Sequence, residues 1–161
     1  MPSAIHFLKR LQKRPSTKGW LESIGYAVLV MLLVLVIDPS VVQMAQQPTI
    51  TELIKISAIA FFIPSLTEDL IFRGLLLPKF STTWLLLSLT GYVLWHPLEA
   101  LTFLPESATY FLDLQFLLLI AILGIFCTIA CRRTGSLWAS VLVHWLVVVA
   151  WKAVGGARFL A

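Results

Sequence analysis

Five apolar runs of membrane-crossing length follow one another from Trp20 to about Val154, separated by short polar turns, and no other feature narrows the fold as much. Hydrocarbon offers no water to a bare backbone N–H or C=O, so such runs cross as helices whose hydrogen bonds close within the segment. The runs cover Trp20 to Ile37, about 50 to 77, Thr82 to about Phe103, about Asp113 to Cys131, and Ser136 to about Val154. They predict an all-α, polytopic membrane helical bundle with about five transmembrane helices. A basic cytoplasmic segment over residues 1–19 precedes one membrane-embedded domain over 20–161. With 59% hydrophobic and 12% charged residues in 161, little chain is left for a soluble catalytic module. Any chemistry must therefore come from the spans.

Local signals refine the runs. Asp38-Pro39-Ser40 follows the first one where a cleaved signal peptide would carry a small-x-small site, so it reads as a retained span despite Glu22 near its start. The second run has about 28 residues and would reach roughly 42 Å as a helix, so it must tilt, bend or protrude. Pro64 supplies a cause, having no N–H for the Ala60 carbonyl one turn before Glu68. Ser136 is placed to N-cap the last helix, and Gly155-Gly156 to end it. Residues 1–19, with Pro15 and Gly19 as breakers, read as a short interfacial helix or as a frayed tail. Trp20, Trp84, Trp138 and Trp151 fall near span ends as interfacial anchors, whereas Trp95 and Trp145 adjoin deep histidines and are placed to wall a cavity. Glu52, Lys55 and Glu106 read as solvated flanks.

The net charge of +4 does not point to nucleic acid, because five of the twelve Lys/Arg are Lys9, Arg10, Lys13, Arg14 and Lys18, just before the first run. A basic flank of this kind orients a span and contacts anionic lipid. Alternating sides from a cytoplasmic N-terminus puts Lys79, Arg132 and Arg133 on the inside as well. Lys152 and Arg158 at the C-terminal end go against the trend. The expectation is a multi-pass protein of the cell membrane with its N-terminus in the cytoplasm. Cys127 and Cys131, one turn apart in an apolar run, read as small hydrophobes rather than zinc ligands.

Against this background the stretch from Thr67 to Gly74 is anomalous, since Glu68, Asp69 and Arg73 are ionisable groups inside a span. Each costs roughly 2.5 to 3.5 kcal/mol to insert and usually faces a partner or a wet cavity. Asp69 and Arg73 are four apart with the acid first, the favourable order for a pair on one helix face. Glu68 points about 100° away, toward another neighbour. His96 and His144 lie deep in two other runs. Measured from the inner helix ends, Glu68, His96 and His144 sit roughly 15, 21 and 12 Å deep at the helical rise, so they can meet at one level. A carboxylate and two imidazoles can activate water, directly as acid and base or by holding a metal. No nucleophile elbow, phosphate loop or H-E-x-x-H pair competes with hydrolysis.

These residues carry a resemblance. Glu68-Asp69-Leu70-Ile71-Phe72-Arg73-Gly74 resembles the E-E-x-x-x-R motif of the CPBP family of intramembrane proteases, which includes the CAAX prenyl endopeptidase Rce1 and bacteriocin self-immunity (Abi) proteins. Tyr92-Val93-Leu94-Trp95-His96 is similar to that family's F-x-x-x-H motif, and His144 falls where its H-x-x-x-N/D motif is expected. The resemblance runs over about residues 64–148. It implies that Glu68 and His96 activate the water that attacks a scissile carbonyl, that His144 stabilises the oxyanion, and that Arg73 pairs with an acidic neighbour. Tyr92 is a packing residue that can orient His96. Family members were long called metalloproteases, but the glutamate-plus-histidine scheme needs no zinc. With two deep histidines and one free glutamate the expectation is no metal cofactor, zinc at Glu68, His96 and His144 being the alternative. Membrane lipid and a membrane-protein or lipidated-peptide substrate are the implied partners.

Two positions depart from the pattern. Asp69 replaces a second glutamate, and Val148 stands four residues after His144, where the family places Asn or Asp. Losing one oxyanion donor elsewhere costs about 100- to 1000-fold in turnover. Glu99 and Tyr92 are the nearest candidates to compensate. Val148 therefore also supports a second reading, a non-catalytic membrane protein acting as an immunity, assembly or binding factor. A transporter fits less well, as five spans without symmetric halves are few.

Overall fold

The protein was analysed as a computed structural model that describes residues 2–39, 41 and 48–155. Most of the turn after the first span lies outside the described residues, as do Gly156 and Arg158. The helices are α1 (Pro2–Gln12), α2 (Thr17–Ile37), α3 (Ile50–Leu75), α4 (Thr82–Thr102), α5 (Ala108–Phe111), α6 (Leu114–Thr134) and α7 (Leu137–Gly155). No strand occurs among the described residues, and the chain is an all-α membrane bundle.

Among the described residues four helices, α2, α3, α6 and α7, are long and apolar enough to cross a membrane, against about five expected. The difference is α4. It has the same 21 residues as α2 and α6, but His96, Pro97 and Glu99 with several hydroxyl residues dilute its apolarity.

Capping signals act where the sequence places them. Asp113 accepts from the Phe116 N–H at 2.8 Å to start α6, and Ser136 accepts from the Trp138 N–H at 3.3 Å to start α7. Between these two helices Gly135 takes the left-handed conformation, φ 67°, that ends α6 and turns the chain back.

The helix α3 is not a regular rod. Ile63 leaves helical geometry (φ −135°, ψ 114°) just before Pro64, and the segments Phe61–Leu66 and Leu70–Leu75 are wound with wide i→i+5 turns. Glu68 and Asp69 sit on the short α-helical piece Thr67–Asp69 between them. Wide turns of this type recur at functional sites because they re-aim side chains within a helix.

The bundle core lies among α2, α6 and α7, where Ala27, Val30, Cys127, Ala130, Ala139 and Val143 are all buried. Small side chains suit this position, since helices in lipid associate by close packing rather than by expelling water. The reverse face is apolar too: Val36 is 77% and Leu114 82% exposed, as expected of lipid-facing positions.

The two ends of the bundle differ. At one end lie α1, the turn from Leu76 to Ser81, and the α6–α7 turn. Here α1 is held by its own residues: Arg10 donates to the carbonyls of Arg73 (2.8 Å) and Leu77, and Trp138 Nε1 donates to the Leu11 carbonyl at 2.7 Å. Ser136 donates to the Lys13 carbonyl, and the Arg10 guanidinium lies 4.3 Å above the Phe80 ring. The N-terminal stretch is thus helical and docked rather than frayed. At the other end Gln115 donates to the Ile37 carbonyl, tying α6 to α2.

Candidate active site

Glu68, Asp69 and Arg73 of α3 turn inward. Asp69 is fully buried and Arg73 is 1% exposed; Arg73 Nη1 lies 3.3 Å from Asp69 Oδ1, the i,i+4 pair expected from their spacing. A buried guanidinium needs acceptors on more than one edge. Nη2 of Arg73 reaches the Gly124 carbonyl at 3.2 Å, and its carbon sits 4.0 Å above the Tyr92 ring. Glycine at 124 makes this possible: a Cβ there would lie 2.8 Å from both Leu89 and Tyr92 and 3.1 Å from Arg73 Nη2.

Asp69 does more than pair with Arg73. Its Oδ1 accepts from the Ser140 hydroxyl at 2.6 Å, and its Oδ2 lies 3.2 Å from His144 Nδ1. A carboxylate can only accept there, so Nδ1 of His144 carries the proton. In the neutral ring this leaves a lone pair on Nε2, which is 3.4 Å from the Tyr92 hydroxyl and 3.9 Å from Glu68 Oε2. The same logic fixes His96. Its Nδ1 lies 3.1 Å from the Tyr92 carbonyl, again acceptor-only, so Nε2 of the neutral ring is the basic atom. That bond goes to the carbonyl of Tyr92, not to the Val93 carbonyl deprived of its donor by Pro97.

Glu68 is 5% exposed, and its Oε2 makes no hydrogen bond among the described residues. Such an atom is expensive to leave unpaired unless substrate, water or an ion completes it. The Glu68 side chain lines a cavity of about 410 Å³ that it shares with His96, His144 and Glu99. The three residues singled out from three separate helices therefore line one space. Glu99 joins them: ligand atoms of Glu68, His96 and Glu99 all lie within 4.8 Å of one another.

The supporting cast is redistributed. Tyr92, fully buried, stacks edge-on against His96 and His144 with centroids 5.4 and 5.9 Å away, and does not line the cavity. It holds both rings from behind and is not placed to contact a bound group, which leaves Glu99 as the cavity-lining member of the two compensating candidates. Val148 lines the wall, one turn beyond His144. Trp95 and Trp145, expected to wall the cavity, point elsewhere. Trp145 donates to the Ser57 carbonyl at 2.8 Å, and Trp95 packs on Phe103. Trp151, expected at the interface, lines the cavity instead, with its ring 5.0 Å from that of Phe116. Glu106 also lines it rather than serving only as a flank.

Among the described residues two groups of side chains have a donor arrangement suited to a metal, Glu68–His96–Glu99 and Asp69–Cys127–His144. In the second, Asp69 is already engaged by Arg73, Ser140 and His144, which leaves it little to offer. Cys127 comes near a histidine only through the tertiary fold.

A family model described as type II CAAX prenyl endopeptidase Rce1-like matches residues 50–150, which covers α3 to α6, most of α7 and every residue of the cluster. No curated protein and no solved structure matches the chain.

Proposed function

Because the chain belongs to the Rce1-like family of type II CAAX prenyl endopeptidases, we propose that it hydrolyses a peptide bond in or near the bilayer with the side chains that share its buried cavity. In this reading the Glu68 carboxylate takes the proton of a water held between it and His96 Nε2, and that water attacks the scissile carbonyl. His144, oriented through Nδ1 by Asp69, presents Nε2 to the oxygen on which charge develops. The proton taken by Glu68 passes to His144 Nε2, 3.9 Å from Oε2; the imidazolium, stabilised by the fixed carboxylate behind it, donates to that oxygen, and the proton goes to the leaving amine as the C–N bond breaks. The observation that carries the reading is the buried Glu68 carboxylate, one oxygen of which makes no hydrogen bond among the described residues, in a side chain that lines a cavity shared with two imidazoles of fixed tautomer. Arg73, held by Asp69 and the Gly124 carbonyl, keeps the piece Thr67–Asp69 in register and does not touch substrate.

No metal is required by this scheme. A divalent cation would fit the donor set Glu68, His96 and Glu99, two carboxylates and an imidazole, and would supply Lewis-acid activation of the bound water.

A second reading, a binding or immunity factor that keeps the fold without turnover, draws on Val148, which puts a methyl-bearing wall where an amide donor would aid the oxyanion. One experiment separates the two. The protein is reconstituted with membrane proteins of its host, and products are compared for wild type, Glu68→Gln and His96→Ala, with and without a chelator. Products that need both side chains support hydrolysis, and their survival in chelator supports the metal-free scheme. Equal patterns in all three proteins remove the hydrolytic reading.

A further inference from the structure

The direction in which the cavity opens carries information that the catalytic cluster does not. From the level of Glu68 its walls run one way only. They comprise the later half of α2 (Val30, Val34), the α4–α6 connection (Leu104, Ser107) and the later half of α7 (Val147, Lys152). All of these lie toward the end where Ile37 meets Gln115. The opposite end is sealed. There α1 is fastened across α3 and α7 by Arg10, Trp138 and Ser136, and the Phe7 ring sits so close to Gly74 that a Cβ on that glycine would lie 2.7 Å from it.

Charge assigns the two ends to membrane faces. Lys9, Arg10, Lys13, Arg14, Lys18, Lys79, Arg132 and Arg133, eight of the twelve Lys/Arg, lie at the sealed end, with Glu22 as its one carboxylate. The open end carries Asp38, Glu52, Glu99, Glu106 and Asp113 against Lys55 and Lys152 among the described residues. Positive charge marks the cytoplasmic side.

We propose that the cavity opens to the non-cytoplasmic face, and that its substrate is an extended, apolar polypeptide segment presented from that face rather than a cytoplasmic tail. The substrate class rests on the hydrolytic reading above; the direction of entry does not. Lys152 at the mouth is eight residues from His144, roughly 12 Å along α7. About four residues of extended chain, at roughly 3.3 Å each, bridge that depth, whereas four helical residues cover only about 6 Å. A peptide bond inside a helix is shielded by its own turns, so the segment arrives unwound. Its side chains meet Val34, Leu119, Leu123, Val147 and Trp151, so apolar residues are favoured on either side of the scissile bond.

Two arms test this. Single cysteines are introduced as Ser107→Cys at the mouth and Gln12→Cys on α1, and labelled with a membrane-impermeant maleimide in spheroplasts and in inside-out vesicles of a bacterial expression host. The wild-type chain, whose Cys127 and Cys131 are fully buried, is the unlabelled control. The expected result is at least about tenfold more labelling of Ser107→Cys in spheroplasts than in inside-out vesicles, and the reverse for Gln12→Cys. Failure of Ser107→Cys to label from the outer side overturns the entry route. In the second arm a fluorogenic library of apolar octapeptides is added to either face of proteoliposomes of fixed orientation. Cleavage that depends on Glu68 and occurs from the open face supports the proposal. If Glu68-dependent cleavage occurs only from the basic face, the entry route falls and the hydrolytic reading stands. If Glu68→Gln cleaves as wild type does, the hydrolytic reading falls while labelling still decides the entry route.

Discussion

Replacing Asp69 with asparagine tests the feature most specific to this site, the carboxylate that serves a guanidinium, a hydroxyl and an imidazole at once. The substitution keeps shape but removes a charge and turns one acceptor oxygen into an NH2 donor. Placed at the Oδ1 position, that donor opposes both Ser140 and Arg73; placed at Oδ2, it opposes only His144 Nδ1–H. The second placement loses less and is the expected one. It forces the His144 proton to Nε2, which removes the lone pair facing Tyr92 and Glu68. In the proposed role the imidazolium that forms at the oxyanion loses the carboxylate behind it, and losing one oxyanion-stabilising group lowers turnover about 100- to 1000-fold. Stability falls as well. Charges 3.3 Å apart at an effective dielectric of about 20 attract by roughly 5 kcal/mol, and breaking a buried pair costs about 3 to 5 kcal/mol. The assays are cleavage in proteoliposomes, thermal unfolding in detergent, and nitrogen NMR of labelled histidine for the tautomer. A folded Asp69→Asn protein with wild-type turnover and an unchanged His144 tautomer refutes the reasoning.

Three further substitutions probe other joints of the account. Val148→Asn adds an amide on the cavity wall one turn from His144, and turnover is expected to rise about 100-fold with little change in KM; an unchanged rate means that no donor is missing there. Gly74→Ala puts a Cβ 2.7 and 2.8 Å from Phe7 ring carbons, so α1 should detach and become open to trypsin at Lys13 and Arg14, and adding Phe7→Ala should restore protection. Digestion no faster than wild type would show that α1 is not packed on Gly74. Gly124→Ala crowds Leu89, Tyr92 and Arg73, and a loss of about 1 to 3 kcal/mol in thermal stability is expected; no loss would place Arg73 elsewhere.

What the sequence revealed was local, and what it concealed was the relation between distant segments. Helix positions follow from the length of apolar runs, and the Asp69–Arg73 pair follows from i,i+4 spacing. Convergence of Glu68, His96 and His144 was legible only as equal depth, since three helices can place residues at one level without turning them to one another. The Asp69–His144 bond joins residues 75 apart, and no spacing rule points to it. The same holds for Glu99 near Glu68, and for Arg10 against the carbonyls of Arg73 and Leu77. The tryptophans show the limit most clearly. Trp95 and Trp145 each adjoin a histidine in sequence, but adjacent residues on a helix point about 100° apart, so a neighbour of a cavity-facing histidine turns away from the cavity. Trp151, seven residues beyond His144, returns to the same face. The third run shows how a site marks its own helix: His96, Pro97 and Glu99 are what lower the apolarity of α4.

The most direct test of the whole account is a double-mutant cycle on Glu68 and His96, with single-turnover cleavage read for wild type, Glu68→Gln, His96→Ala and the pair. Two groups activating one water act as a unit, so each single change should lower the rate by about 10³-fold or more, and the double variant should be no slower than the worse single one. Losses that multiply, or a single variant that keeps the wild-type rate, would contradict a shared hydrolytic site.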